Sequence, residues 1–231
     1  MKLTLKKILF VTGLILIAWN VAYFGVLRSW HQRWGASKQE RTAVLPGDVV
    51  FPNAAGQVTH AITVNTAPDA IWPWLMQIGQ DRSGFYSYTP LENVVRCEMP
   101  EVHRIMPEWP ARTRGETVWF CTPKHYNAMG KMIAAVVEPE KAFAIIAPGD
   151  WTRIQAGGHA EQAMWEFVLE PVGPQQTRLI ARVRGCPPKT LGARAASIFF
   201  WEPVHFLMER RMLLTIKELS ERNATVRAAQ S

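Results

Sequence analysis

Only three cysteines occur in 231 residues. Cys97, Cys121 and Cys186 show no C-x-x-C spacing and are odd in number, so the sequence indicates neither a zinc site nor a disulfide framework. They read as small core residues. His103, His125 and His159 have no metal-ligand spacing among themselves, and no glycine-rich phosphate loop or Ser/Cys nucleophile motif is present. No metal and no cofactor is expected on these grounds.

Net charge is scarce over most of the chain as well. The net charge is +7, but residues 1–45 account for +6 of it, through seven Lys/Arg against Glu40 alone. The remainder is close to neutral, which removes the main support for a nucleic-acid partner.

Apolar residues, at 48% of the chain, are in good supply. Ile8 to Leu27 is a run of twenty residues without a charge. At about 1.5 Å per residue it matches the ~30 Å hydrocarbon core of a bilayer. Trp19, Tyr23, Trp30 and Trp34 gather towards its C-terminal end, where amphipathic rings favour the membrane interface. The run is longer than a usual signal peptide and lacks a clear A-x-A site, so residues 1–28 read as an uncleaved single-pass anchor. Basic residues flank both ends and do not orient it; the domain is expected on the extracytoplasmic side. Residues 29–44 read as a polar, basic juxtamembrane linker.

A domain then extends over residues 45–222, followed by a polar tail at 223–231. Leu45-Pro46-Gly47-Asp48 marks its opening turn. Val58–Val64 has strand composition, and Thr66 and Asp69 are spaced as a capping box for a helix carrying Ile71, Trp74, Leu75 and Ile78. Pro73 predicts a kink or a late start in that helix. A second short helix follows, on which Leu91, Val94 and Val95 share a face. Strands are expected at Thr117–Cys121, Lys131–Val137, Ala142–Ala147, Ala163–Pro171 and Thr177–Gly185. In the last two, Trp165, Phe167 and Leu169, then Leu179, Ala181 and Val183, alternate with Glu and Arg, whose side is expected to face water. Behind Pro203 a long helix is predicted, with Trp201, His205, Met208, Met212, Ile216 and Leu219 on one apolar stripe. Glu202, Glu209 and Arg210 fall on its wet side.

Strand, two short helices, a run of antiparallel strands and a long terminal helix make an α+β helix-grip fold: a curved antiparallel sheet wrapped around the C-terminal helix, preceded by one transmembrane helix. At Trp72-Pro73-Trp74-Leu75, Arg82-Ser83-Gly84-Phe85-Tyr86-Ser87-Tyr88, Leu91-Glu92-Asn93, Trp165-Glu166-Phe167 and Met208-Glu209-Arg210 the chain resembles the START-related SRPBCC superfamily, which includes polyketide cyclase/dehydrase-like and lipid-transfer proteins. The chain has Thr89 where relatives often carry an acid, so no role for that acid transfers. The resemblance implies a fold and an apolar cavity, and its chemistries are too varied to imply a reaction.

Whichever parity the strands take, their inward positions supply no charge, which suits a hydrophobic ligand or lipid held by burial. Polar groups must then come from loops or helices. Arg82 offers a guanidinium for a carboxylate or phosphate headgroup, and Tyr86 and Tyr88 offer phenols; the alternative is a turn with packed tyrosines and a solvated arginine. Trp119, Trp151, Trp165, Phe167, His205, Met208 and Met212 complete the candidate ligand set, with Trp151 and Gly157-Gly158-His159 as a flap or a plain hairpin loop. His205 and Glu209, one helical turn apart, are the candidates for a general base and its orienter, or a histidine satisfied by its neighbour. The expected function is membrane-anchored binding, transfer or sequestration of a hydrophobic small molecule or lipid. The alternatives are a cyclase/dehydratase-like enzyme and a tethered interaction module with a filled cavity.

Overall fold

A computed structural model describes residues 2–126 and 130–228. Helix α1 (Lys2–Ala22) runs through a π-helical turn (Tyr23–Leu27) into α2 (Arg28–His31), giving one rod that contains the uncharged run. It is the one helix among the described residues that is long and apolar enough to cross a bilayer, with a mean hydropathy of 2.0 over Lys7–His31. Its apolar side chains from Ile8 to Val21 are almost all exposed, so no protein core accounts for them.

Six strands form one antiparallel sheet in the order β1-β6-β5-β4-β3-β2. They are β1 (Gly56–Val64), β2 (Thr117–Trp119), β3 (Lys131–Glu138), β4 (Ala142–Ile146), β5 (Ala163–Gly173) and β6 (Gln176–Gly185). Between β1 and β2 lie α4 (Pro68–Met76) and α5 (Thr89–Val94). Short α6 (Pro123–Tyr126) and α7 (Pro148–Gln155) connect later strands. The chain closes with α8 (Leu191–Ala196), a second π-turn (Ser197–Trp201) and the 27-residue α9 (Glu202–Ala228). Residues 223–228 of the expected tail therefore continue this helix, and the last three lie outside the described residues.

The inner face of the sheet packs against α4 and α9. Ile62, Val64, Phe167, Leu169, Leu179 and Ala181 meet Met212, Leu213, Ile216 and Leu219 of α9 in the main core. The alternation in β5 and β6 thus falls as the sequence predicts, and α9 lies along the sheet as the helix of a helix-grip fold.

Four local expectations are corrected. Helix α4 runs through Pro73 instead of starting after it, and no side chain caps it at Ala67; Thr66 is tied to Thr177 through its carbonyl. The charged side of β5 and β6 is covered over most of its length, with Glu170 left exposed. Glu166 and Arg182 are both 0% exposed, because α3 (Lys38–Thr42) and the 3-10 turn Pro46–Val49 fold back over them. There Arg182 pairs with Asp48 at 2.6 Å and donates to the carbonyls of Ala43 and Glu40, while Glu166 accepts from the Gly47 amide. The segment 29–44 is accordingly packed structure and not a free spacer: Arg178 grips Glu40, and the amides of Thr59 and Ala61 reach the carbonyls of Gln32 and Trp34. Finally, Cys97 and Cys121 form a disulfide, leaving Cys186 free and exposed. Spacing in sequence carries no information about two cysteines that meet across a loop and a strand end.

Candidate functional site

Between the first turns of α9, α5 and the β2 end of the sheet the fold leaves a cavity of about 660 Å³. Its walls are Phe85, Phe120, Trp165, Met208, Met212 and the Cys97–Cys121 bridge; its rim is Leu91, Val95, Phe200 and Trp201. Cavities of roughly 300–1,000 Å³ with such linings take drug-sized apolar molecules. Phe85, Phe120 and Trp165 stack on one another at centroid distances of 4.7–5.9 Å, which fixes the wall. The volume is open, so the filled-cavity interaction module has no support.

One end of the cavity is polar. Glu209, 2% exposed, points from α9 into the sheet. It accepts from the indole N–H of Trp165 at 2.6 Å and contacts His60 Nδ1, whose other nitrogen meets the His31 carbonyl. His205 Nε2 stands 3.6 Å from Glu209 Oε1. Burial works to raise the Glu209 pKa, but the two histidines outweigh it and hold the carboxyl below its ordinary range. Burial likewise opposes a charged His205, yet Glu209 prevails and the pKa is raised. The ring edge of His205 is open to the cavity while Nε2 has no solvent contact. An imidazole biased towards its protonated form is a hydrogen-bond donor or an acid before it is a base. Across the lining, Glu92 accepts from Ser87 at 2.6 Å, and burial raises its pKa above the carboxylate norm.

The structure brings together Trp165, His205, Glu209, Met208 and Met212 from the candidate set. Phe167 lies behind Trp165, fully buried, with ring centroids 4.8 Å apart. The remaining candidates are placed elsewhere. Arg82 is neither solvated nor in the cavity: its guanidinium donates to the carbonyls of Met76 and Pro110 and pairs with Glu116. Arg112 does the same work beside it, reaching Ile78, Asp81, Glu116 and Thr117. Together they pin the loop around the Gly79–Gly84 bridge, where both glycines take positive φ. Tyr86 is buried and donates to the Trp74 carbonyl, and Tyr88 is exposed beside α5. Trp119 sits under Lys131, while Trp151 packs on the outer face of the sheet under Arg114, on the opposite side from the cavity, so it forms no flap over it.

Sequence reasoning missed His60 and Glu92. His60 had a legible signal, since it shares its strand face with Ile62 and Val64, and a histidine on a buried face requires a partner. Glu209 was assigned to the wet side of α9 because helical periodicity cannot know that His60 and Trp165 would satisfy it.

No protein-family profile matches this chain, and no curated protein sequence matches it. Solved structures do show likeness. The Aha1 dimer protein from Colwellia psychrerythraea is 18% identical over 70% of this chain and 98% of its own, with a TM-score of 0.37. A polyketide-cyclase-like protein from Corynebacterium glutamicum is 16% identical over 74% and 87%, with a TM-score of 0.32. A protein from Nitrosomonas europaea is 13% identical over 72% and 95%, with a TM-score of 0.40. At such identities and scores they carry no argument, and the helix-grip assignment stands on the strand order and on α9 lying along the inner face.

Proposed function

We propose that the protein is a membrane-anchored binder of a hydrophobic small molecule or lipid, which it holds for transfer or sequestration. The observation that carries this reading is the open cavity of about 660 Å³ with aromatic and methionine walls, polar only at the His205–Glu209 end and at Ser87 and Glu92 across the lining. Burial against such walls supplies about 25 cal/mol per Å² of apolar ligand surface, and His205 offers a donor to a carbonyl or carboxylate at the polar end. The exposed apolar rod of α1 supports the anchor, and tethering raises the local concentration of any bilayer-resident ligand. The Cys97–Cys121 disulfide supports an extracytoplasmic domain, because such bonds persist in oxidising compartments.

Native mass spectrometry of the full-length protein extracted in mild detergent tests the proposal. A co-purifying hydrophobic species is expected, and Met208→Trp, which fills the cavity, should release it while the fold is retained. Consistently empty wild-type protein overturns the reading.

The contact of His205 with Glu209 at the cavity wall favours one second reading, a cyclase- or dehydratase-like enzyme in which His205 serves as the acid. His205→Ala separates the two. Abolished turnover of a bound substrate with its affinity retained supports the enzyme, and parallel loss of affinity supports the binder.

A further inference from the structure

The two π-turns among the described residues meet. In the second, the Glu202 amide reaches back to the Ser197 carbonyl, and the next residue, Pro203, has no N–H to give. The Ile198 carbonyl is thereby left without a helical donor. The Tyr23 hydroxyl takes it, at 2.5 Å, and the Tyr23 ring stacks on Phe199 at 5.5 Å. One helical turn further along each element, Arg28 forms a two-pronged ion pair with Glu202, and Gln32 joins it. The terminal helix is therefore docked on the anchor at a defined level.

On the anchored-binder reading, that level lies inside the bilayer. Tyr23 precedes Leu27, the last uncharged residue of the run, by four positions, roughly 6 Å along the helix. Whatever touches Tyr23 shares its depth. Apart from the Tyr23 contacts of Ile198 and Phe199, the segment so placed turns large apolar side chains outward: Leu191 is 84% exposed, Phe200 56% and Trp201 62%. Soluble surfaces do not present such a cluster, whereas an interfacial helix does. Phe200 and Trp201 are also the rim of the cavity, together with Leu91 of α5 and Val95 just after it, both exposed.

We propose that the α8–π-turn segment, Leu191–Trp201, is a second membrane contact set into the same leaflet interface as the end of the anchor, and that the cavity mouth consequently opens onto the lipid and not onto water. This rests on the anchored-binder reading and names its ligand class: a molecule that resides in the bilayer and enters sideways. The Arg28–Glu202 pair marks the headgroup boundary, and the mouth lies on its membrane side.

The test uses the full-length protein reconstituted in vesicles of phosphatidylcholine and phosphatidylglycerol. In a Cys186→Ser background, single cysteines are introduced as Phe200→Cys, Leu191→Cys and, as an aqueous reference on the β5–β6 hairpin, Val172→Cys, and each is spin-labelled. Labels at 200 and 191 are expected to collide more with oxygen than with a water-soluble nickel chelate, and the label at 172 the reverse. Nickel accessibility at 200 and 191 equal to that at 172 overturns the membrane contact, whatever the cavity holds. A buried label on a domain that native mass spectrometry finds empty instead overturns the binding reading and the lateral route, leaving the contact itself standing. Each label sits on an exposed side chain, so retention of the native melting transition is the check that the variants fold.

Discussion

Glu166 is a carboxyl sealed between the sheet and the turn that folds over it, and burial pushes its pKa up to about 7. The folded state thus keeps a proton that the unfolded chain releases near 4.5. The stabilising contribution is complete below that unfolded value and is lost as pH rises through about 7, a difference of about 3 kcal/mol. Glu166→Gln keeps an acceptor for the Gly47 amide without the titration. Urea unfolding should therefore show the variant gaining on the wild type between pH 4.5 and pH 8, with little difference at the acid end. A constant offset across that window would contradict the assignment. The opposite case is Glu209, whose charge raises the His205 pKa. In Glu209→Gln the burial of His205 acts unopposed, so its imidazole resonances should titrate at lower pH in NMR spectra, and an unchanged midpoint would detach the two residues.

At the scale of elements, the disulfide joins the loop after α5 to the end of β2 and closes 24 residues of chain. Cross-links over loops of this size contribute about 3 kcal/mol. Paired Cys97→Ser and Cys121→Ser substitutions should lower the melting temperature measurably and loosen the cavity wall that both sulfurs line, whereas Cys186→Ser should change neither. The elements were largely legible in the sequence, because five later strands carry β-branched and aromatic runs between turn residues and the α9 stripe keeps its period through Leu219. What escaped was tertiary. Arg82 and Tyr86 carry the most specific part of the family resemblance, and their work is to hold a loop by its carbonyls. No local pattern distinguishes an arginine that staples backbone from one that awaits a ligand. The charged side of β5 and β6 was misread for a related reason: alternation locates two faces but cannot reveal that residues 37–51 cover the second. Cavity residues on α9 and β5 were found because their apolar periodicity and the cavity share one physical cause, a helix laid on a sheet that it does not fully fill.

For the whole molecule, the exposed thiol of Cys186 tests the proposed anchoring by reporting which side of a membrane the domain occupies. A membrane-impermeant maleimide applied to intact cells should label it if the domain is extracytoplasmic, with Cys186→Ser as the blank; labelling only after permeabilisation would reverse the topology. The Arg28–Glu202 clasp has a mechanical consequence beyond placement. Because the rod and the closing helix are bolted together at two successive turns, the proposed anchored binder would have no swivel on which to leave the lipid and carry cargo through solvent. On that proposal it is a fixed station, and anything it holds is handed over to a visitor or back to the layer it stands in.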